Sequence, residues 1–204
     1  MLSYKLFGAT LAAAAVAFSA GYAYAQEFSA RLSGFNELGS LPSATAFPTG
    51  AVLSDGSGTA KLKLDKTAGT IDYTLTYSNV GTTAPQTGMV SQAHIHFGKS
   101  RDSGGILVFF CTNLGNGPMG TPMCPGANSG TVTGTWTAAS VVAIAGQNVA
   151  AGDFDAIVDA LESDTAYANI HTVPLMGATN TAFPAGEIRG QVHEEEHDHD
   201  HNHQ

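Results

Sequence analysis

Ala60-Lys61-Leu62-Lys63-Leu64-Asp65-Lys66-Thr67-Ala68-Gly69-Thr70-Ile71-Asp72-Tyr73-Thr74-Leu75-Thr76-Tyr77 decides the fold. Ala60, Leu62 and Leu64 alternate with Lys61 and Lys63, and Ile71, Tyr73, Leu75 and Tyr77 alternate with Asp72, Thr74 and Thr76. Period-two alternation puts one apolar face on a core and one polar face in water, and Asp65 to Gly69 reads as the turn between two antiparallel strands.

The same period recurs outward from this hairpin. Phe28, Ala30 and Leu32 alternate upstream, and further strands are expected at Ala93–Phe97, Ile106–Phe110, Thr131–Trp136, Tyr167–Thr172 and Glu187–Val192. Short strands among 24 glycines predict an all-β protein. The expected form is an antiparallel Greek-key-like sandwich or barrel of about eight strands. One short helix is predicted where Phe154, Ile157, Val158 and Leu161 recur at i, i+3, i+4 and i+7, with Asp153 placed to cap it. Trp136 reads as core.

Residues 1–25 carry an export pattern: Lys5, an apolar run from Leu6 to Phe18, and Ala23-Tyr24-Ala25 as a cleavage site before Gln26. The run is short for a membrane span, and no other stretch could be one. A periplasmic or secreted protein is expected, with one domain over 26–192 and a tail over 193–204. Cys111 and Cys124 are the two cysteines. In an oxidising compartment they predict a disulfide, worth about 3 kcal/mol on the chain-entropy model; the alternative is a thiolate metal ligand. With 17 acidic against 8 basic residues the net charge is −9. That argues against nucleic acid and anionic membranes and favours cations as partners.

The histidines define the chemistry. His94 and His96 stand two apart in Ala93-His94-Ile95-His96-Phe97-Gly98, so both should project from one strand face, with Cα atoms roughly 6–7 Å apart. His171 stands in Asn169-Ile170-His171-Thr172 and is the candidate third ligand. Three imidazoles suit copper or zinc better than calcium or magnesium, and copper is the first expectation. Counting by twos from Glu187 places Arg189, Gln191 and His193 on one face, which makes His193 either a fourth ligand or part of the tail. The tail adds His197, His199, His201 and His203 among Asp, Glu and Asn. It has no apolar residue to bury, is expected to be disordered without a ligand, and reads as a metal-collecting segment or as a purification tag. No Gly-x-Ser-x-Gly elbow, His-Glu-x-x-His helix or phosphate-cradling loop is present.

Four segments in order, Leu32-Ser33-Gly34-Phe35-Asn36-Glu37, Ala93 to Gly98, Tyr167-Ala168-Asn169-Ile170-His171-Thr172 and Gly186-Glu187-Ile188-Arg189-Gly190-Gln191, resemble the chordin-type (CHRD) domain. The likeness runs from about Phe28 to Val192 and is to the single-domain exported bacterial type. It implies an all-β fold and leaves open a protein-binding role like that of the animal members. His-x-His followed by Phe-Gly also looks like the copper strand of copper/zinc superoxide dismutases. That likeness implies His171 as a third copper ligand and Arg189 as the catalytic cation that attracts superoxide. Phe97 follows His96 directly, where those enzymes have an intervening residue, and no further core histidines exist for a zinc subsite. A copper-only form is the version the resemblance implies. The alternative for Arg189 is a bond to Glu187 or to backbone. The alternative to an enzyme is a copper or zinc buffer, or a binding module.

Overall fold

A computed structural model describes residues 25–38, 50–180 and 182–196. The expected export segment, except Ala25, and the tail histidines His197, His199, His201 and His203 lie outside the described residues.

The described strands are β1 (Gln26–Ser33), β2 (Ser57–Asp65), β3 (Thr70–Ser78), β4 (Met89–Phe97), β5 (Gly105–Thr112), β6 (Gly130–Trp136), β7 (Ala166–Val173), β8 (Ile188–Gln191) and β9 (His193–Glu194). All pairings are antiparallel, in the order β5-β4-β7-β8-β1-β2-β3-β6, with β9 also against β1. The expected hairpin forms with Lys63 opposite Asp72 and Leu64 opposite Ile71.

The two ends of the sheet curl toward each other, so that the whole is an almost closed barrel. Trp136 Nε1 at the end of β6 donates to Phe109 O of β5 at 2.8 Å, and Tyr73 Oη donates to Phe110 O at 3.0 Å. Trp136, Tyr73 and Phe110 pack ring on ring across the seam, and Val142 N adds a backbone bond to Leu107 O. Aromatic groups with one polar atom suit such a seam, because the ring fills the gap and the donor satisfies an edge carbonyl. The core inside holds Phe28, Leu62, Leu75, Ile95, Ile170 and Ile188.

The chain crosses the barrel from β3 to β4, returns through β5 and β6, and crosses again to β7 through helix α1 (Phe154–Glu162). This is the Greek-key-like path expected of the alternation. Asp153 caps α1, accepting from Ala156 N, and Ile157, Val158 and Leu161 are buried. Lys66 of the β2–β3 turn pairs with Glu162 at the far end of α1. The expected disulfide between Cys111 and Cys124 is present, joining β5 to the loop before β6.

Candidate metal centre

β4 and β7 lie side by side in the sheet, and each is buried on both faces. Ala93 and Ile95 of β4, like Ala168 and Ile170 of β7, point into the barrel. His94 and His96 occupy the other face of β4, and Tyr167, Asn169 and His171 that of β7. The register sets Gln92 opposite His171, His94 opposite Asn169 and His96 opposite Tyr167. The histidines from two strands thereby meet: ring centroids are 5.3 Å apart for His94 and His96, 4.9 Å for His94 and His171, and 5.8 Å for His96 and His171. One nitrogen from each ring lies within 4.8 Å of the other two.

Hydrogen bonds fix the tautomers. His96 Nδ1 sits 3.0 Å from Gly104 O, and His171 Nδ1 sits 3.0 Å from Pro184 O. A carbonyl only accepts, so each Nδ1 carries the proton and each Nε2 a lone pair. His94 Nδ1 approaches His171 Nε2 at 3.1 Å and must be the donor there, which leaves its own Nε2 unprotonated. The Nε2 atoms of His94 and His96 are buried without a hydrogen-bond partner. Leaving such an acceptor unmatched costs about 1–3 kcal/mol, and a ring whose Nδ1–H is anchored on a carbonyl is the usual support for an Nε2 metal ligand.

Burial pushes the His94 imidazole down to about 2, helped by the neighbouring His171 and His96. Burial also holds His96 and His171 down to about 4, against the opposing pull of their backbone carbonyls. All three rings are neutral at ordinary pH, the form that ligates a metal.

The support around the cluster comes from the loop over residues 98–104 and the connection into β8. Gly104 offers its carbonyl to His96 and its N–H to Tyr167 Oη, at 3.1 Å. A Cβ there would lie 1.7 Å from Phe97 O, so only glycine brings the loop this close. Tyr167 stacks on His96 with centroids 4.8 Å apart and planes 2° from parallel, and Phe109 meets His94 edge-on.

Arg189 places its guanidinium carbon 3.3 Å from the centre of the Tyr167 ring, and its Nη2 donates to Lys99 O and Asp102 O. It is 2% exposed and separated from His96 by that ring. Arg189 and Glu187 do not pair with each other. Glu187 accepts from Ser54 Oγ, Gly81 N and Thr172 Oγ1, while Arg189 bonds to backbone. Asn169 donates to Glu37 at 2.5 Å and to Ile188 O. Burial raises the Glu37 carboxyl, offset in part by Leu38 N–H, Asn169 and the Arg189 charge.

His193 is not brought to the cluster. The strand expected over Glu187–Val192 is β8, Ile188–Gln191; β9 continues along β1 in the same register, setting His193 opposite Ser29, exposed and 3.0 Å from Asp164 Oδ1. Counting by twos holds through His193, which lines one cleft with Arg189 and Gln191, but that cleft lies apart from the histidine cluster. Tyr167, Asn169 and Glu37 were not singled out from sequence. The available signal was Tyr167-x-Asn169-x-His171, three polar-tipped side chains on the face that carries the histidine.

The CHRD domain family matches residues 28–192, and the chain belongs to that family. A comparison with curated proteins finds no match. The four segments that carry the family resemblance converge here: β4 and β7 supply the histidines, β8 supplies Arg189, and the end of β1 leads into Glu37. The disulfide is consistent with export, and no described helix is long and apolar enough to cross a membrane.

Proposed function

We propose that this protein is an exported CHRD module that holds one transition-metal ion, copper before zinc, on His94, His96 and His171. The observation that carries the reading is the pair of buried, unpartnered Nε2 lone pairs beside a third neutral imidazole. Among divalent first-row ions copper binds nitrogen donors most strongly, and an all-imidazole set suits it. The rings are almost wholly covered, which favours holding the ion over rapid turnover. The tail histidines His197, His199, His201 and His203 suit capture and hand-over to this buried site.

A second reading, a copper-only superoxide dismutase, rests on the donor set. Bound there, copper would supply one-electron chemistry, and imidazole ligands serve both of its oxidation states. The protein's part would be to orient three neutral rings through Gly104 and Pro184 and to keep bulk water out. Arg189 has both its carbonyl contacts and its ring stack to maintain, so in either reading its first role is to position the loop over residues 98–104 and Tyr167.

Elemental analysis of protein ending at Glu196, which keeps β9 and removes the tail histidines, is expected to find about one copper per chain. His94→Ala with His96→Ala should abolish it. Metal bound only by the full chain would place binding in the tail and overturn the proposal. A superoxide assay on the copper-loaded tail-free protein separates the two readings: activity no greater than that of free copper leaves the holding role.

A further inference from the structure

A cleft of about 770 Å³ opens on the outer face of β1 and β8. The chain has three arginines, Arg31, Arg101 and Arg189, and all three line this cleft. They arrive from different places: Arg31 from β1, Arg101 from the loop over residues 98–104, and Arg189 from β8. Three cations gathered in one cleft repel one another, and a cleft of that sign in a protein of net charge −9 stands out as an anion-attracting patch.

Arg189 has compensation in the wall, from Glu37 and two carbonyls. Arg31 and Arg101 do not. Both are exposed, and neither side chain makes a hydrogen bond or ion pair among the described residues. The register that sets Ser33 opposite Arg189 puts Arg31 one pair further along the same face, so the two arginines stand diagonally across neighbouring strands. The acidic group in the lining, Glu37, turns its oxygens to Leu38 N–H and Asn169 and presents little free charge to the cleft. Phe35, 69% exposed, supplies a ring on the same lining that stacks on no other ring among the described residues.

We infer that this cleft binds a small organic anion, a carboxylate carried on a ring. Arg31 and Arg101 hold the carboxylate through their planar forks, and Phe35 packs against the ring. Guanidinium matches carboxylate geometry in pairs of parallel hydrogen bonds, and a cleft walled by one sign of charge concentrates its counter-ion. The volume is that of an ordinary small-molecule site. The site lies on the far side of Tyr167 from His96 and uses none of the metal ligands, so the inference is independent of the metal.

The test titrates benzoate, benzyl alcohol and inorganic sulfate into the protein as isolated, followed by NMR shifts and calorimetry. Benzoate is expected to bind one site, with shifts centred on Arg31, Phe35 and Arg101. Benzyl alcohol should bind at least about tenfold more weakly, and Arg31→Gln or Arg101→Gln should each weaken benzoate by about tenfold. Phe35→Ser should weaken benzoate while leaving sulfate unchanged. His94→Ala should leave benzoate binding intact, which keeps this result separate from the fate of the metal proposal. No benzoate binding at millimolar concentration, or binding that both arginine variants retain, would overturn the inference. Sulfate binding as tightly as benzoate with no effect of Phe35→Ser would reduce the cleft to a nonselective charge patch and also overturn it.

Discussion

β2 and β3 form one kind of sheet, β4 and β7 another. On β2, Lys61 and Lys63 face water while Leu62 and Leu64 face the core, and β3 repeats the pattern with Asp72 outside and Ile71 inside. On β4 and β7 nearly every position is buried on either face, although the strands are antiparallel like the rest. One side of an antiparallel sheet ordinarily stays wet. Here the second layer is made of loops, and what they cover is three imidazoles, an amide, a phenol and a guanidinium. Burying such groups costs free energy unless each is matched. Among the described residues four buried side-chain atoms lack a partner, the Nε2 atoms of His94 and His96, Asn180 Oδ1 and Gln191 Oε1; the two that lie on neighbouring imidazoles beside a third mark the candidate site.

The contrast is broken most directly through Arg189. Arg189→Ala removes two charge-assisted hydrogen bonds to Lys99 O and Asp102 O and bares the Tyr167 ring, so a loss of about 3 kcal/mol in urea unfolding is expected. Lys63→Ala, on the wet face of β2, should stay within about 0.5 kcal/mol. Similar effects at the two positions would mean that the outer layer over β8 is no more organised than open surface.

Glu187 joins the two regions, and its replacement sharpens the comparison. Its carboxylate gathers Ser54 and Gly81, which flank β2 and β3, with Thr172 of β7. Glu187→Gln keeps the shape but turns an amide donor toward groups that already donate. About 2 kcal/mol should be lost. Because Glu187 begins the approach to β8, weaker protection of the Ile188 and Arg189 amides in hydrogen exchange should accompany the loss. Unchanged exchange there would confine Glu187 to the β2–β3 side.

The hairpin and helix α1 could be read from sequence because one face of each meets water, so polarity reports orientation residue by residue. The His94 and His96 pair followed from the same alternation, and His171 joined them through a family segment rather than through any periodicity. The groups that orient the rings could not be read. Gly104 and Pro184 act through backbone carbonyls, which no side chain announces, and they reach the site through loop paths that local patterns do not encode. The position of His193 was hidden for a related reason: alternation gives the face of a strand but not how far along it a site lies.

The smallest expected effect separates function from stability at His94. Its ring is fully buried, and its Nε2 has no partner. Leucine has nearly the same volume and no lone pair to strand, although His171 Nε2 then loses the His94 N–H that it accepts. Relief of one orphan therefore competes with creation of another, while the apolar side chain gains packing against Phe109. Metal-free His94→Leu should be as stable as the parent or more stable by about 1 kcal/mol. With copper present the order should invert, since an ion at a hundred times its dissociation constant stabilises only the parent, by about 2.7 kcal/mol. Thermal unfolding of both proteins, with copper and with a chelator, gives the four values needed. A variant destabilised by several kcal/mol without metal would show that His94 holds the fold, and that its buried nitrogen is matched in some other way.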